Sequence, residues 1–503
     1  MLAVARTFTV VGVAAQRVDV EVDVRRGLAA FSLVGLPDTA VRESRERVRA
    51  AVSNSGFEFP LQRITASLAP ADLRKAGPGF DLAIAAALLA ASGQLSPDAL
   101  DRYWLAGELA LDGSIRPVPG VLAMAEEARR NGAEGIAVAA ANAPEAALID
   151  RLDVVPLHSL GQLAELGAGL APVERSTATS PSEDNGAGPG GPDLAELRGQ
   201  PALRRALEVA AAGGHSMLIV GPPGAGKSLA ARRLPTLLPP LARAEAIEVT
   251  RIASVCGRPP PPGTLAGRPF RAPHHTISAA GLVGGGNPPR AGEVTFAHGG
   301  VLFLDELGEF SRPALDALRQ PLEDGSVTVT RARHSIEFPC RFMLVAASNR
   351  CPCGHGVESR RCRCPEASVR RYEAKLSGAL ADRIDISISV EQPSAEALRS
   401  APGERSTAVR DRVAAARERQ AARLGEGRCN ADMTPAETRR HCRRDGEARE
   451  VLERSHARLG LSGRGYERVS RVARTIADLY GTDGVGAEHV GEALTLRRRH
   501  TAG

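Results

Sequence analysis

The sequence predicts an α/β protein with a helical C-terminal region, and three observations carry this prediction. An apolar, strand-like run at Ser216–Val220 passes into a glycine-rich loop and then into a helical pattern. Two further strand-like runs follow, at Val301–Leu304 and at Phe342–Ala346. From about Ser394 the apolar residues recur at spacings of three and four, which is typical of amphipathic helices. We therefore expect an α/β core followed by helices.

Length and composition exclude several classes of protein. The 503 residues suggest about three domains, and 43% hydrophobic with 24% charged residues exclude a chain that is disordered throughout. No apolar run approaches the ~18 residues needed to cross a bilayer, so no membrane anchor is expected. Near the N-terminus, Val18, Val20, Val22 and Val24 alternate with polar residues. This alternation favours a first strand over a signal peptide.

The domain organisation follows from one segment that has almost no core-forming residues. Residues 172–192, PVERSTATSPSEDNGAGPGGP, are typical of a flexible linker. We expect one domain over residues 1–171, a second over 193–393 and a helical third over 394–503.

The positive charge is concentrated at one end of the chain. Of the 64 basic residues only three are lysines (Lys75, Lys227 and Lys375), and the chain carries a net charge of +6. Residues 396–503 contain 22 Arg and 16 acidic residues, a surplus equal to that net charge. The surplus fits either a nucleic-acid surface or the solvated face of amphipathic helices. Because aromatics make up only 3% of the chain, a nucleic-acid surface would contact the phosphate backbone rather than stack on bases.

A phosphate-binding loop is the most specific motif. It fits G-x-x-x-x-G-K-[ST] between a predicted strand and a predicted helix, and it consists of Gly221, Pro222, Pro223, Gly224, Ala225, Gly226, Lys227 and Ser228. Glycines allow backbone N–H groups to face phosphate oxygens at a helix N-terminus. Lys227 would neutralise the β/γ oxygens of ATP, and Ser228 would ligate Mg²⁺.

Two further strand ends supply the remaining residues expected for nucleoside triphosphate hydrolysis. Asp305 would hold the Mg²⁺ shell and Glu306 would polarise the attacking water. Asn349 ends the next strand and could orient the same water, although an ordinary strand-ending Asn is an alternative.

Two arginines are candidates for sensing the γ-phosphate. Arg383, in Leu380–Asp385, could reach the ATP of a neighbouring subunit as an arginine finger or could be a surface residue. Arg464, in Leu461–Tyr466 before the last amphipathic helix, is a candidate second sensor within the same subunit. Arg471 and Arg474 on that helix are weaker candidates.

A cysteine cluster follows Asn349. Cys351, Cys353, Cys362 and Cys364 could close a tetrahedral Zn²⁺ site, with His355 as a substitute ligand, or they could be free thiols in a loop. The C-x-C spacing is shorter than the usual C-x₂₋₄-C. A cysteine clip of this kind in a long chain favours the reducing cytoplasm over an oxidising compartment.

Beyond these motifs, the chain resembles the YifB/ComM group of magnesium-chelatase-like AAA+ ATPases over essentially its full length. The segments that carry the resemblance are Phe31–Ser44, Arg271–His275, Gly292–Glu306, Asn349–Gly354, Leu461–Tyr466 and Arg474–Asp478. The resemblance implies a P-loop AAA+ α/β domain at 193–393 with an insert near 268–290 and a hairpin within 326–342. It also implies a C-terminal α-helical lid domain, hexameric rings, and the two sensing roles for Arg383 and Arg464.

The N-terminal domain resembles the proteolytic domain of Lon, a ribosomal S5 domain 2-like α+β fold. The segment Lys75–Asp81 lies where Lon carries its nucleophilic serine, and Gly79 occupies that position. Glu134 stands at the position of the partner lysine. A Ser/Lys dyad is therefore missing, and a scaffold or binding role is expected rather than peptide hydrolysis.

The resemblance implies an ATP-driven homo-hexameric motor on single-stranded or branched DNA, similar to a branch-migration helicase of natural transformation or recombination. Arg331, Arg333 and His334 at the hairpin tip would track the DNA backbone, and recombination proteins are candidate partners. One alternative is a magnesium-chelatase-type subunit for metal insertion into porphyrin. Another is a protein-remodelling ATPase without protease activity.

Overall fold

The fold is described from a computed structural model of the chain. It describes residues 1–169, 173, 191–287, 289–331, 334–356, 360–376, 380–459 and 461–497, so most of the predicted linker lies outside the described residues. The chain forms two compact units, Met1–Ser182 with Arg243–Ala266, and Glu183–Ala242 with Gly267–Gly503.

The described residues form strands and helices in a mixed order. The strands are β1 (Leu2–Val11), β2 (Ala14–Arg25), β3 (Ala30–Val34), β4 (Arg63–Ala69), β5 (Tyr103–Ala106), β6 (Glu108–Leu109), β7 (Ile115–Arg116), β8 (Gly135–Ala139), β9 (Asp153–Leu157), β10 (Met217–Val220), β11 (Phe270–Arg271), β12 (Gly284–Gly285), β13 (Arg290–Ala291), β14 (Val301–Leu304), β15 (Ser326–Arg331), β16 (His334–Pro339), β17 (Met343–Ser348) and β18 (Ile386–Ser389). The helices are α1 (Thr39–Asn54), α2 (Asp81–Ala91), α3 (Asp98–Arg102), α4 (Val121–Arg130), α5 (Ala143–Ala146), α6 (Leu163–Gly167), α7 (Pro201–Gly213), α8 (Lys227–Leu237), α9 (Arg243–Val255), α10 (Ala279–Val283), α11 (Glu293–Phe296), α12 (Arg312–Ala317), α13 (Arg319–Asp324), α14 (Glu366–Leu376), α15 (Ala395–Arg399), α16 (Ser406–Leu424), α17 (Pro435–His441), α18 (Gly446–Leu459), α19 (Gly463–Tyr480) and α20 (Ala487–Thr495).

The first unit is built on a four-stranded sheet in the order β1-β2-β4-β3. Strands β1 and β2 pair antiparallel, with Leu2 opposite Asp23. The alternating valines Val18, Val20, Val22 and Val24 are buried on one face of β2, which confirms the predicted strand. Every residue of α2 is buried, and this helix packs against β1 and β2 because its Ala- and Leu-rich surface has no polar side to expose.

A second, parallel sheet in the order β5-β8-β9 completes this unit, together with the segment Arg243–Ala266. Helix α9 of that segment packs against α4 and buries Ala246, Val249 and Ile252. The Arg251 guanidinium lies 2.7 Å from the Glu126 carboxylate. The segment Arg243–Ala266 lies within the predicted 193–393 domain by sequence but packs with the first unit, because the apolar face of α9 is buried against α4.

The second unit is centred on a five-stranded parallel sheet in the order β11-β14-β17-β10-β18. The predicted strands appear as β10, β14 and β17, which confirms the α/β prediction. Two antiparallel hairpins lie outside this sheet, β12–β13 and β15–β16. The carboxyl ends of parallel strands lie along one edge of the sheet, where ligands of α/β proteins bind.

The C-terminal helices share one hydrophobic core with this sheet. Helix α16 packs against α7, α8 and α19. Val469, Val472, Ala473 and Ile476 of α19 are buried in that core, as their spacing predicts. No helix in the described part of the chain has the length and apolar character needed to cross a membrane.

Candidate functional site

The phosphate-binding loop joins β10 to α8, as predicted. Gly224 and Gly226 have φ values of 78° and 82°, a left-handed conformation that favours glycine. A Cβ on Gly221 would lie 2.6 Å from the carbonyl oxygen of Val390, which directly follows β18. Only glycine therefore fits against that segment. The loop thus leads directly into the N-terminus of α8, where free backbone N–H groups can receive phosphate oxygens.

Lys227 folds back over this loop. Its Nζ donates hydrogen bonds to the carbonyl oxygens of Gly221 (2.6 Å) and Pro222 (2.9 Å) and to Oδ1 of Asn349 (3.1 Å). Burial lowers the pKa of Lys227, and the carboxylates of Asp305 and Glu306 oppose that shift. The ammonium is held at the carboxyl edge of the sheet, at the position from which it would meet phosphate oxygens.

Ser228 and Asp305 meet across the same edge. The Ser228 hydroxyl donates a 2.6 Å hydrogen bond to Oδ2 of Asp305, which directly follows β14. A hydroxyl oxygen beside a carboxylate is the hard-oxygen donor set that Mg²⁺ takes together with nucleotide phosphates. The donor set therefore fits the expected Mg²⁺, with Ser228 and Asp305 as the residues that would hold it.

Glu306 adopts an unusual backbone conformation beside Asp305. Its φ of 52° is left-handed for a residue with a side chain, and its carbonyl accepts a 2.8 Å hydrogen bond from the backbone N–H of Glu309. Its carboxylate lies 3.2 Å from Nδ1 of His275. The sequence places His275 in a family motif but predicts no role for it. The contact between His275 and Glu306 follows from the pairing of β11 with β14, which the sequence does not reveal.

Asn349 lies next to the phosphate loop rather than apart from it. It follows β17, whose Ser348 pairs with Val220 of β10, and the Ser348 carbonyl accepts a 3.1 Å hydrogen bond from the backbone N–H of Gly221. The Asn349 amide oxygen is bonded to Lys227. The structure thus brings together Lys227, Ser228, Asp305, Glu306 and Asn349.

The two predicted sensing arginines, Arg383 and Arg464, contact the same acidic side chain. The carboxylate of Glu323, in α13, accepts a hydrogen bond from Arg383 and lies 3.9 Å from the guanidinium of Arg464. Arg383 is largely buried and Arg464 is exposed. The structure brings these two residues to Glu323.

The weaker candidates on α19 have structural contacts. Arg474 is buried, lies 2.9 Å from the Asp478 carboxylate and donates to the carbonyls of Thr482 and Asp483. Arg471 donates to the carbonyl of Ala431. These contacts stabilise the helical region.

A buried polar network joins α19 to the sheet. The His215 ring contacts Oδ2 of Asp385 (3.1 Å) and Oγ1 of Thr475 (2.8 Å), and the Arg468 guanidinium lies 3.2 Å from Oδ1 of Asp385. Burial opposes ionisation of Asp385, yet the hydrogen bond and charge of His215 and the charges of Arg468 and Arg471 lower its pKa.

The four predicted cysteines converge. The sulfur atoms of Cys351, Cys353, Cys362 and Cys364 all lie within 4.8 Å of one another, and Cys362 lies 3.7 Å from both Cys351 and Cys353. A tetrahedral site with Zn–S bonds of ~2.3 Å separates its sulfurs by roughly 3.8 Å. The backbone N–H of His355 and the neighbouring thiols lower the pKa of Cys353 to about 6. Among the described residues, this group consists of the four cysteine sulfurs and does not include His355. Its geometry fits a Zn²⁺ ion.

Comparison with known proteins adds three family matches. The family model described as "Magnesium chelatase, subunit ChlI" matches residues 193–398, "Subunit ChlI of Mg-chelatase" matches residues 20–142, and "Magnesium chelatase, subunit ChlI C-terminal" matches residues 403–497. The uncharacterized protein YifB of Escherichia coli (strain K12) is 43% identical over 501 residues, which is 99% of this chain and 97% of YifB. The competence protein ComM of Haemophilus influenzae is 41% identical over 499 residues, with 99% and 97% of the two chains covered.

The chain belongs to the YifB/ComM family of magnesium-chelatase-like AAA+ proteins. Within this family fold, the predicted nucleotide-site residues lie directly after β10, β14 and β17 and at the start of α8. The helices that follow β18 form the C-terminal helical domain.

The N-terminal unit of this YifB/ComM family member also resembles a protease. Lon protease 2 of Bacillus subtilis is 33% identical over 122 residues, covering 20% of this chain and 22% of that protease. Gly79 lies in the 3₁₀ turn Pro78–Phe80, and Glu134 forms a 2.7 Å ion pair with Arg102. Lys75 is buried and donates to the carbonyl of Pro70. Neither Gly79 nor Glu134 offers the nucleophile or the base of a Ser/Lys dyad.

Proposed function

We propose that the chain hydrolyses ATP in a Mg²⁺-dependent reaction at the phosphate loop. The observation that carries this proposal is the 2.6 Å hydrogen bond between Ser228 and Asp305. The Lys227 ammonium lies at the same edge of the sheet, where it bonds to Asn349. These residues would hold Mg²⁺, which supplies charge neutralisation for the phosphates when bound. Lys227 would bind the β/γ oxygens.

Glu306 would act as the general base in this reaction. Its carboxylate takes a proton from the attacking water as the water oxygen bonds to the γ-phosphorus. The bond from that phosphorus to the bridging oxygen breaks, which yields ADP and inorganic phosphate. Asn349 would orient the water or the γ-phosphate from the neighbouring strand. Arg383 of an adjacent subunit and Arg464 of the same subunit would stabilise the developing charge.

We further propose that hydrolysis drives a homo-hexameric motor along single-stranded or branched DNA, as a branch-migration helicase of natural transformation or recombination. Support comes from the relative that carries the name competence protein ComM and from the Arg surplus of residues 396–503. The hairpin β15–β16 would contact DNA. Its tip residue Arg333 lies outside the described residues, and only the backbone of Arg331 and His334 is described.

ATP hydrolysis measured with and without forked DNA or four-way junctions tests this proposal, with Glu306→Gln as the inactive control. We expect DNA to stimulate hydrolysis, and we expect the stimulation to fall steeply as salt rises because phosphate contacts release counterions. DNA that stimulates neither hydrolysis nor ring assembly would contradict the motor, although hydrolysis alone would still support the ATPase. Recombination proteins stay candidate partners, and the cytoplasm stays the predicted location.

A second candidate function, metal insertion into porphyrin, is favoured by the name of the matched family, magnesium chelatase. A third is protein remodelling without cleavage, favoured by the Lon-like unit with Gly79 and Glu134. Insertion of Mg²⁺ into a porphyrin, measured with the purified chain and ATP, would support the second. ATP-dependent unfolding of a model substrate without peptide hydrolysis would support the third.

We also propose that the cysteine cluster holds a structural Zn²⁺. A Cβ on Gly354 in this loop would lie 2.7 Å from Pro223 and 4.0 Å from Asn349, so the loop packs directly against the phosphate loop. Metal analysis of the purified chain should find one zinc per chain, lost in Cys351→Ser and kept in Cys256→Ser. No bound zinc in wild-type protein that was purified without chelators would end the proposal.

A further inference from the structure

We propose that Tyr372 of α14 is a positioning residue for Asn349, through which the cysteine cluster acts on ATP hydrolysis; this rests on the ATPase function proposed above. The Tyr372 side chain is 5% exposed, and its hydroxyl lies 3.0 Å from Oγ of Ser348, the last residue of β17. Asn349 follows directly and carries the amide that bonds to Lys227. Tyr372 therefore reaches a strand end of the candidate nucleotide site from a helix.

A ring of hydrogen bonds closes around the peptide groups of Asn349. Its backbone N–H donates to the hydroxyl oxygen of Tyr372, and its carbonyl oxygen accepts a 3.1 Å hydrogen bond from the Ser348 hydroxyl. The Tyr372 hydroxyl then donates to Oγ of Ser348, because the Ser348 proton is already used. Burial raises the pKa of Tyr372, so the hydroxyl keeps the proton that this bond requires. Tyr372 thus holds the N–H of Asn349 directly and its C=O through Ser348.

The ring of Tyr372 covers the turn that follows Glu306. A Cβ on Gly308 would overlap the Tyr372 ring, so the ring lies directly on the backbone of the 3₁₀ turn Leu307–Glu309. Helix α14 packs against this turn, and the turn packs against β17. The ring and the hydroxyl contact different neighbours. Replacing Tyr372 by Phe therefore removes the hydrogen bonds and keeps the packing.

The chain before α14 connects this contact to the cysteine cluster. Cys351 lies two residues after Asn349, and Cys364 lies two residues before α14 begins. The four sulfurs lie within 4.8 Å of one another, so they hold together the two ends of the segment 351–364. The cluster thus sets where α14 starts relative to Asn349, and α14 carries the Tyr372 hydroxyl back to the same strand end.

The hydroxyl matters because the Asn349 amide must keep its direction. A backbone N–H that loses its partner in the protein interior is costly, so removing the hydroxyl should shift the Asn349 peptide toward another partner. The amide oxygen would then move relative to Lys227, to which it is bonded at 3.1 Å. Misplacing a group at the reacting atoms by ~1 Å can reduce the rate by about 100-fold.

Steady-state ATP hydrolysis and binding of a fluorescent ATP analogue test the proposal in the full chain. We expect Tyr372→Phe to lower kcat by about 10- to 100-fold, with the KM for ATP and the analogue affinity unchanged. Tyr480→Phe is the matched control, since Tyr480 is an exposed tyrosine of α19, and it should keep the wild-type rate. In an Asn349→Ala background, Tyr372→Phe should cause less than about a twofold further loss.

The link to the cysteine cluster is tested by Cys351→Ser, alone and combined with Tyr372→Phe. Each variant should lower kcat, and the double variant should lose less than the product of the two single losses. Independent losses in the double variant would overturn the link. Metal analysis should find as much zinc in Tyr372→Phe as in wild type, because the four sulfurs stay in place. Zinc lost from Tyr372→Phe would show that the rate falls through a damaged cluster, which overturns the positioning role.

The outcomes separate this proposal from the function on which it rests. A Tyr372→Phe chain that hydrolyses ATP at the wild-type rate overturns the positioning role and leaves the ATPase in place. An equal loss in Tyr480→Phe, a loss explained by weaker analogue binding, or a full further loss in the Asn349→Ala background also overturns it. A wild-type chain that binds the analogue and never hydrolyses ATP overturns both.

Discussion

The ammonium of Lys227 donates a 3.1 Å hydrogen bond to Oδ1 of Asn349, so a residue of the phosphate loop and the residue that follows β17 are in direct contact. The contact follows from the sheet order, in which β17 is the neighbour of β10. In the proposed ATPase, the Asn349 side chain would therefore respond to the phosphate that Lys227 binds.

Replacing Lys227 by Arg should abolish ATP hydrolysis although it keeps the positive charge. The ammonium is enclosed by the carbonyl oxygens of Gly221 and Pro222, and the planar guanidinium cannot replace a compact charge there. Hydrolysis and binding of a fluorescent ATP analogue measure the effect. Lys375→Arg, at an exposed lysine that donates to the Gly308 carbonyl, is the control and should stay active. Wild-type hydrolysis by Lys227→Arg would contradict the assignment.

Asn349→Asp should raise the KM for ATP as well as lower kcat. The new carboxylate would lie about 3 Å from the ammonium, where its attraction competes with that of the phosphates. Asn349→Ala should lower kcat alone, because it removes the amide without adding a charge. Steady-state kinetics of the two variants distinguish these effects. Equal KM values would show that Asn349 does not act through Lys227.

Arg383→Ala should reduce hydrolysis by about 10³-fold if the residue acts as an arginine finger in a neighbouring subunit. Mixing Arg383→Ala with Lys227→Ala chains should then restore activity well above that of either variant, because mixed rings contain complete sites. No recovery on mixing would contradict action between subunits. Glu323→Gln removes the charged partner and keeps the arginine. Because Glu323 is half-exposed, the free energy of unfolding should fall by only about 1 kcal/mol, although Arg383 is largely buried.

Protonation of Asp385 should destabilise the second unit in acid. Its pKa is lower in the folded chain than in the unfolded chain, so the stabilisation is present above the unfolded value of ~3.9 and is lost as the pH falls through the folded value. Asp385→Asn should cost about 3 kcal/mol near neutral pH, because His215 and Arg468 lose a buried charged partner. Urea unfolding from pH 7 to pH 3 measures this.

The cost of Asp385→Asn should therefore shrink toward pH 3, while Glu426→Gln, at an exposed acid, should have little effect at either pH. A constant difference between wild type and Asp385→Asn at every pH would exclude this carboxylate as the acid-sensitive group.

Much of the candidate nucleotide site could be predicted from local sequence. The glycines, Lys227 and Ser228 have the spacing of a phosphate-binding loop between a strand and a helix, and Asp305 and Asn349 directly follow apolar strands. Parallel strands bring such residues to one edge regardless of their distance along the chain. The buried face of α19 and the valines of β2 followed from periodicity for the same local reason.

Other features depend on contacts that no periodic pattern encodes. His275 meets Glu306 through the pairing of two-residue β11 with β14, and a strand that short has no recognisable pattern. Glu323 joins Arg383 and Arg464 although α13 has no motif. The packing partner of α9 also could not be predicted, because an amphipathic pattern shows that one face of a helix is buried but not which element buries it.

The segment Arg243–Ala266 has a consequence for dissecting the chain. The polypeptide passes between the two compact units three times, once at residues 182–183 and again on entering and leaving this segment. A protease that cuts anywhere in residues 172–192 therefore leaves two covalent connections between the units. A fragment that starts at residue 193 would carry α9 without α4, exposing Val249 and Ile252 to water, so a self-sufficient ATPase fragment should require replacing 243–266 with a short polar tether.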